Sequence, residues 1–191
     1  MTGDWAVGPA ASAARYPRAT LRLDDGSCVV LDDPRALSSI ELTEAGVDPV
    51  PGIGPDADDP SLTAAWLAAR LATRRVAIKV TLLDQRVMAG IGNIYAAEAL
   101  WRARIDPRRS AKSLRSRELS TLLSSIRAVL RRASGARYAD TGARFAVYGR
   151  AGKPCRRCNT RVDRLVQSAR STYFCPGCQR KVSPAPRAMR T

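Results

Sequence analysis

The sequence predicts an α+β protein, with β structure at its two ends and helices between them. Three observations predict it. Short β-rich runs broken by turn residues occupy the first forty or so positions. Apolar residues recur at helical spacing from Leu62 to Leu130. Near the C-terminus, two Cys-x-x-Cys pairs bracket a hairpin pattern.

The elements follow in order. Residues 1–18 are rich in Ala, Gly and Pro and carry no clear period. Ala19–Leu23 and Ser27–Leu31 read as strands joined by Asp24-Asp25-Gly26, a hairpin signal. Asp33-Pro34 ends the second strand, and Ile40–Leu42 reads as a further short one. Residues 46–60, dense in Gly, Pro and Asp, read as a linker. Pro60-Ser61 opens a helix with Leu62, Trp66, Leu67 and Leu71 on one face. Val76–Leu83 is a short apolar helix carrying Lys79, and Met88–Asn93 is a glycine-containing turn. Ile94–Arg104 is a third helix, with Ala97, Leu100 and Trp101 as core contacts, and Asp106-Pro107 breaks it. A long amphipathic helix follows. Leu119, Leu122, Leu123, Ile126, Val129 and Leu130 mark its apolar face, while Arg117, Arg127, Arg131 and Arg132 mark the other. Residues 134–146 are irregular, 148–180 hold the cysteines, and the last eleven residues read as a basic disordered tail.

Bulk properties narrow the function classes. No apolar run is long enough to span a bilayer and no signal peptide is visible, so a cytoplasmic protein without a membrane role is expected. The chain has 191 residues and a net charge of +15. Residues 1–100 hold 9 basic and 13 acidic side chains, whereas residues 101–191 hold 23 and 4. A basic block of that kind attracts a polyanion, and nucleic acid is the usual one. Most of these cations are arginines, whose planar fork suits phosphate.

The cysteine spacing is Cys155-x2-Cys158-x16-Cys175-x2-Cys178, with Cys28 alone. Each pair offers two thiolates about one turn apart, and two pairs complete a tetrahedron around zinc. Two disulfides are the lesser reading in a reducing compartment. Four thiolates leave no open position, and the chain has no histidine, so one structural zinc is expected rather than a catalytic one. Between the pairs, Arg161–Gln167 and Ser171–Phe174 read as strands with Ser168-Ala169-Arg170 as the tip. Zinc ribbons serve DNA, RNA and protein partners alike.

Gly90-Ile91-Gly92-Asn93 leads directly into a helix, whose free N–H groups accept phosphate. Asn93 can cap that helix, or also use its amide on a ligand. At this point Leu83–Leu100 resembles the helix–two-turn–helix signature of the formamidopyrimidine-DNA glycosylase and endonuclease VIII family. Val147–Cys155 and Ser171–Arg180 are similar to that family's C-terminal zinc finger. The resemblance implies a remnant of a β-sandwich over 1–59, a helix–two-turn–helix domain over 60–146, the finger over 147–180 and a tail over 181–191. It implies that Lys79, Asn93 and the finger-tip Arg170 grip the DNA backbone, and that the four cysteines hold zinc. Asp32-Asp33-Pro34-Arg35 resembles the segment whose arginine enters the hole left by an everted base, here Arg35, with Leu37 where the family has an aromatic. Met1-Thr2-Gly3 resembles the segment carrying an intercalating methionine.

The family's chemistry, by the same resemblance, begins with a terminal proline amine beside a glutamate and is helped by a further lysine. Nothing in this sequence reads Pro-Glu at its start, which suggests a truncated member. The leading expectation is therefore a monomeric protein that binds damaged or kinked double-stranded DNA without that chemistry. One alternative is a glycosylase/lyase using a terminal amine or Lys79, or one whose start codon lies upstream. Another is a zinc-ribbon module for RNA or protein. Residues 19–42, as a sandwich fragment with open edges, are expected to be less protected in hydrogen exchange than 62–132.

Overall fold

A computed structural model describes residues 4–9, 14–46, 52–133 and 145–180. The expectations placed on 1–3, on most of the 134–146 segment and on the 181–191 tail fall outside the described residues. The chain forms two compact units, Met1–Pro51 and Gly52–Thr191. No helix among the described residues is long and apolar enough to cross a membrane.

The first unit is an antiparallel sheet of β1 (Asp4–Pro9), β2 (Pro17–Arg22) and β3 (Ser27–Asp32), in the order β1-β3-β2. Central β3 carries the buried Cys28, Val30 and Leu31. The β2–β3 hairpin closes where Leu23 N donates to Ser27 O at 2.9 Å and Gly26 N donates to Leu23 O at 3.0 Å. Strand β1 lies where the sequence shows no period. Its pattern Trp5-Ala6-Val7-Gly8 is short, and pairing with β3 rather than burial makes it a strand, since Trp5 and Val7 stay exposed. The strand expected over Ile40–Leu42 does not form. It finds no partner among the described residues, and Leu42 is 99% exposed.

After β3 the chain wraps around a carboxylate. Asp33 Oδ1 accepts Arg35 N at 3.0 Å, and Oδ2 accepts Leu37 N at 2.8 Å and Ser38 N at 2.9 Å. The Ser38 hydroxyl adds a bond at 2.8 Å. That hydroxyl first, and then the three N–H donors, lower the Asp33 pKa to about 2. Arg35 therefore sits on a tight loop built around a carboxylate.

The second unit starts earlier than composition suggests. Residues 54–62 dock on the helical body through Gly54 N to Gln85 O at 2.8 Å, Ala57 N to Ala89 O at 3.0 Å and Ala89 N to Pro55 O at 2.9 Å. Arg127, expected on the solvent face of its helix, clasps this segment instead. Its Nη2 donates to Asp59 O at 2.8 Å and Leu62 O at 2.7 Å. Helix α1 is Ala64–Leu71, capped by Thr63, whose hydroxyl accepts Trp66 N, rather than by Pro60-Ser61. Proline has no side-chain acceptor to offer, and Ser61 N is engaged by Asp59 Oδ1. Next come α2 (Ile78–Leu82), α3 (Asn93–Arg102), one 3-10 turn (Ala111–Ser113) and α4 (Ser116–Ala133). Leu67, Leu71, Ile78, Leu82, Met88, Leu100, Leu119, Leu122 and Ile126 fill one core. These are mostly the apolar positions of the helical pattern. Between α2 and α3, Gly90 takes φ +82°, a left-handed value that suits glycine, and Gln85 staples the loop by accepting Gly90 N at 2.9 Å and donating to Ile91 O at 3.1 Å.

Strands β4 (Asp163–Gln167) and β5 (Arg170–Phe174) form the C-terminal hairpin. Ser168 and Ala169 at the tip have φ +47° and +57°. Two left-handed residues in succession make the turn that matches strand twist. The hairpin module is bolted to the helices. Gln179 accepts Cys175 N and donates to Ile105 O, both at 2.8 Å. Arg108 stacks on Phe174 at 4.6 Å, and Arg157 on Trp101 at 4.1 Å.

Candidate nucleic-acid interface

The four cysteine sulfurs all lie within 4.8 Å of one another. Cys158 Sγ is 3.4 Å from Cys175 Sγ and 3.3 Å from Cys178 Sγ, and Cys155 Sγ is 3.9 Å from Cys178 Sγ. A tetrahedron with zinc–sulfur bonds of about 2.3 Å has edges of about 3.8 Å. The donor set and its spacing thus fit one structural zinc. N–H groups aim at the sulfurs: Arg157 N and Trp101 Nε1 on Cys155, and Cys178 N on Cys175, each at 3.4 Å. Such donors spread thiolate charge and fix ligand orientation. Gly177 is needed for space. A Cβ there would lie 2.5 Å from Thr160 Oγ1 and 3.2 Å from Cys158 Sγ.

The zinc holds the hairpin, and the hairpin places β5 against α2 and α3. There a single carbonyl gathers two of the sequence-predicted residues. Lys79 Nζ donates to Ser171 O at 3.2 Å, and Asn93 Nδ2 donates to the same oxygen at 3.1 Å. Exposed Arg170 is the next residue back along β5 and lies near enough to Lys79 to repel its charge. Three residues from three elements thus meet at the root of the hairpin tip. Asn93 is the first residue of α3 rather than its cap. Gly92 takes the cap position with no side-chain bond, which leaves the Asn93 amide free to reach β5. Its Oδ1 is buried without a hydrogen-bond partner among the described residues.

Lys79 is fully buried, with one bond for its three donors and no ion-pair partner among the described residues. Burial first, and the Arg170 charge second, bring its pKa down to about 8. At neutral pH most of the amine still carries its proton, so a cation sits in a site that invites an anion. The fourth predicted contact, Arg35, lies in the first unit, on the Asp33 loop.

Sequence reasoning missed the residues that hold this geometry. Glu98 of α3, 8% exposed, accepts Ala146 N and Val147 N at 2.9 Å and Tyr148 N at 3.0 Å, which ties the start of the finger module to the Asn93 helix. A signal existed: Glu98 is the one charge in the stretch Asn93–Trp101, and a carboxylate inside such a run needs buried donors. Tyr148 stacks edge-on with Tyr173 at 5.0 Å, beside Asn93. Nothing in the sequence marks Ser171 O, because the acceptor is backbone.

The family profile described as the formamidopyrimidine-DNA glycosylase H2TH domain matches residues 53–142. The zinc finger found in FPG and IleRS matches 152–180. A formamidopyrimidine-DNA glycosylase of Chloroflexus aurantiacus is 42% identical over 197 residues, spanning 94% of this chain and 70% of the relative. The crystal structure of the MutM (Fpg) protein from Thermus thermophilus is similar, with 34% identity and a TM-score of 0.80 over 94% of this chain and 73% of that one. The Lactococcus lactis enzyme bound non-covalently to DNA containing an AP site is 28% identical, with a TM-score of 0.84 over 95% of this chain and 72% of that one.

Proposed function

This chain belongs to the formamidopyrimidine-DNA glycosylase family, and from that we propose that its 191 residues grip duplex DNA at a damaged or distorted position in base-excision repair. The observation that carries the reading is the convergence of Lys79 Nζ and Asn93 Nδ2 on Ser171 O beside Arg170. These are donors from a helix start, a buried amine and a guanidinium. Together they suit the oxygens of phosphates on one strand. The zinc finger supplies the rigidity that keeps Arg170 in register with the helices. Arg35, on the loop that Asp33 shapes, is the residue assigned to the space left by an extruded base. The Lactococcus relative, captured on AP-site DNA, supports an abasic site as the preferred distortion.

Binding and chemistry separate at this point. The grip is the role we assign to Lys79, Asn93, Arg170 and Arg35. The second reading, a lyase, rests on Lys79, whose amine with a pKa of about 8 is partly unprotonated near neutrality and could form an imine with an open-chain abasic aldehyde. Two measurements decide. Fluorescence anisotropy on duplexes with and without an abasic analogue should show tighter binding to the abasic one, and equal affinity rejects the grip reading. Borohydride trapping on true abasic DNA should give no cross-link. A cross-link abolished by Lys79→Met establishes the lyase instead.

A further inference from the structure

The chain that leads into Lys79 runs antiparallel to the segment after Pro107. Lys79 N donates to Pro107 O at 3.3 Å, Ile78 N to Arg109 O at 2.7 Å, Ala111 N to Val76 O at 2.9 Å and Lys112 N to Arg74 O at 3.0 Å. The Ala77–Ser110 bridge lies at the middle of this pairing, and the Lys112 N to Arg74 O bond brings the 3-10 turn Ala111–Ser113 against the segment that holds Arg75. At the clamp end the finger joins this seam, because Gln167 Nε2 donates to Pro107 O at 3.4 Å.

Charge along the seam is unbalanced. Arg74, Arg108 and Arg109 are paired with Asp84, Asp106 and Glu118, at 2.7, 2.6 and 2.5 Å. That uses the seam's carboxylates. Arg75 and Lys112 are exposed, lie on adjoining segments and have no ion-pair partner among the described residues. Like charges on adjoining segments with no carboxylate between them repel. Their juxtaposition serves the fold poorly and a polyanion well.

We propose that this seam is a second phosphate track, which carries the duplex flanking the clamp on one side through Arg75 and Lys112. The inference rests on the DNA grip proposed above. Lys112 lies five residues beyond Pro107, at most about 16 Å of extended chain. Phosphates on one strand advance about 3.4 Å along the axis per nucleotide, so the contacts fall within about five nucleotides of the clamp.

The test compares wild-type protein with Arg75→Ala/Lys112→Ala on abasic-analogue duplexes, one with long flanks and one cut to about three base pairs on either side, short of the track. Two lost phosphate contacts should lower the slope of log affinity against log salt by about 1.8. By the same relation the long duplex should bind about sixtyfold more weakly at about 0.1 M salt but only about threefold more weakly at about 0.5 M. The short duplex should bind both proteins alike. Arg75→Lys/Lys112→Arg, which keeps both charges, should behave as wild type in binding and in thermal unfolding, and Arg75→Ala/Lys112→Ala should unfold no earlier than wild type. An unchanged salt slope on the long duplex overturns the track and leaves the grip standing. An equal loss on both duplexes also overturns it. If wild-type protein binds neither duplex, the grip itself fails.

Discussion

Lys79 should trade stability for binding, and the structure sets the size of the trade. Its amine is fully buried, with one backbone acceptor and a neighbouring guanidinium. The fall of its pKa from 10.5 to about 8 amounts to about 3 kcal/mol against the charged form, at roughly 1.4 kcal/mol per tenfold. Lys79→Met keeps the length and removes the charge. It relieves that penalty and loses one charge-assisted hydrogen bond, worth about 1.5–3 kcal/mol. At about pH 7 the variant should therefore be as stable as wild type, or up to about 2 kcal/mol more stable. The pH dependence carries a definite sign. Between about pH 8 and 10.5 the unfolded chain holds a proton on Lys79 that the folded chain has released. Stability contributed at this residue thus rises with pH across that window, and Lys79→Met abolishes the rise. Binding moves the other way. A phosphate favours the protonated amine, so above about pH 8 affinity should fall by up to about tenfold per pH unit in wild type and stay flat in the variant. Urea unfolding at fixed free zinc and anisotropy titrations, from about pH 7 to about 9.5, measure both. A loss of more than about 2 kcal/mol in Lys79→Met at neutral pH, or parallel pH profiles for the two proteins, would refute the account of a buried, poorly paired cation.

Asn93→Ala should weaken binding to abasic-analogue duplex about tenfold with little change in melting, because the amide caps nothing in its own helix; anisotropy and calorimetry together check it. Glu98→Gln turns an acceptor of three N–H bonds into one that also points a donor at them, and should cost about 2–3 kcal/mol in urea unfolding. Removing zinc with a chelator should shift Trp101 fluorescence, since its indole bonds Cys155 Sγ and stacks under Arg157, and should raise hydrogen exchange over residues 152–180 while 64–126 stay protected. The Asp33 carboxylate, with its pKa lowered to about 2, supports the Arg35 loop above the unfolded value near 3.8 and loses that support as pH falls towards 2; NMR titration of the Leu37 and Ser38 amides reads this directly.

Legibility followed the kind of signal each residue leaves. The helical core was readable because its apolar positions repeat at one period, and the zinc ligands because four thiolates at fixed spacing have few other uses. Strand β1 was not, because pairing and not patterning makes it a strand. Ile40–Leu42 misled for the converse reason: alternation without a neighbouring edge leaves its side chains in water. Arg127 looked like one more solvent-facing cation, although its task is to collect carbonyls from a segment 65 residues or more away in sequence. Asn93 was found by its place at a helix start, but the role of cap belonged to Gly92. Local spacing names the participants, while a tertiary contact such as Ser171 O decides what they do.

A finger and a helix pair need not form one grip, but the bonds here argue that these do. Lys79, Asn93 and Arg170 can act on a single run of phosphates only if β5 stays fixed relative to α2 and α3. Two independent ties enforce this. Gln179 joins the second cysteine knuckle to Ile105 beyond the end of α3, and Glu98 joins the entrance of the finger to the middle of that helix. Both are buried with each polar side-chain atom bonded, so slippage would strand polar groups away from water at about 1–3 kcal/mol each. The Ser171 carbonyl then has a consequence beyond stability. It holds the Lys79 and Asn93 donors together before any ligand arrives, and so lowers the ordering cost of binding. Loss of zinc removes Arg170 and also the acceptor that aligns the other two contacts. Chelation should therefore weaken binding by more than Arg170→Ala does, which separate grips acting additively would not produce.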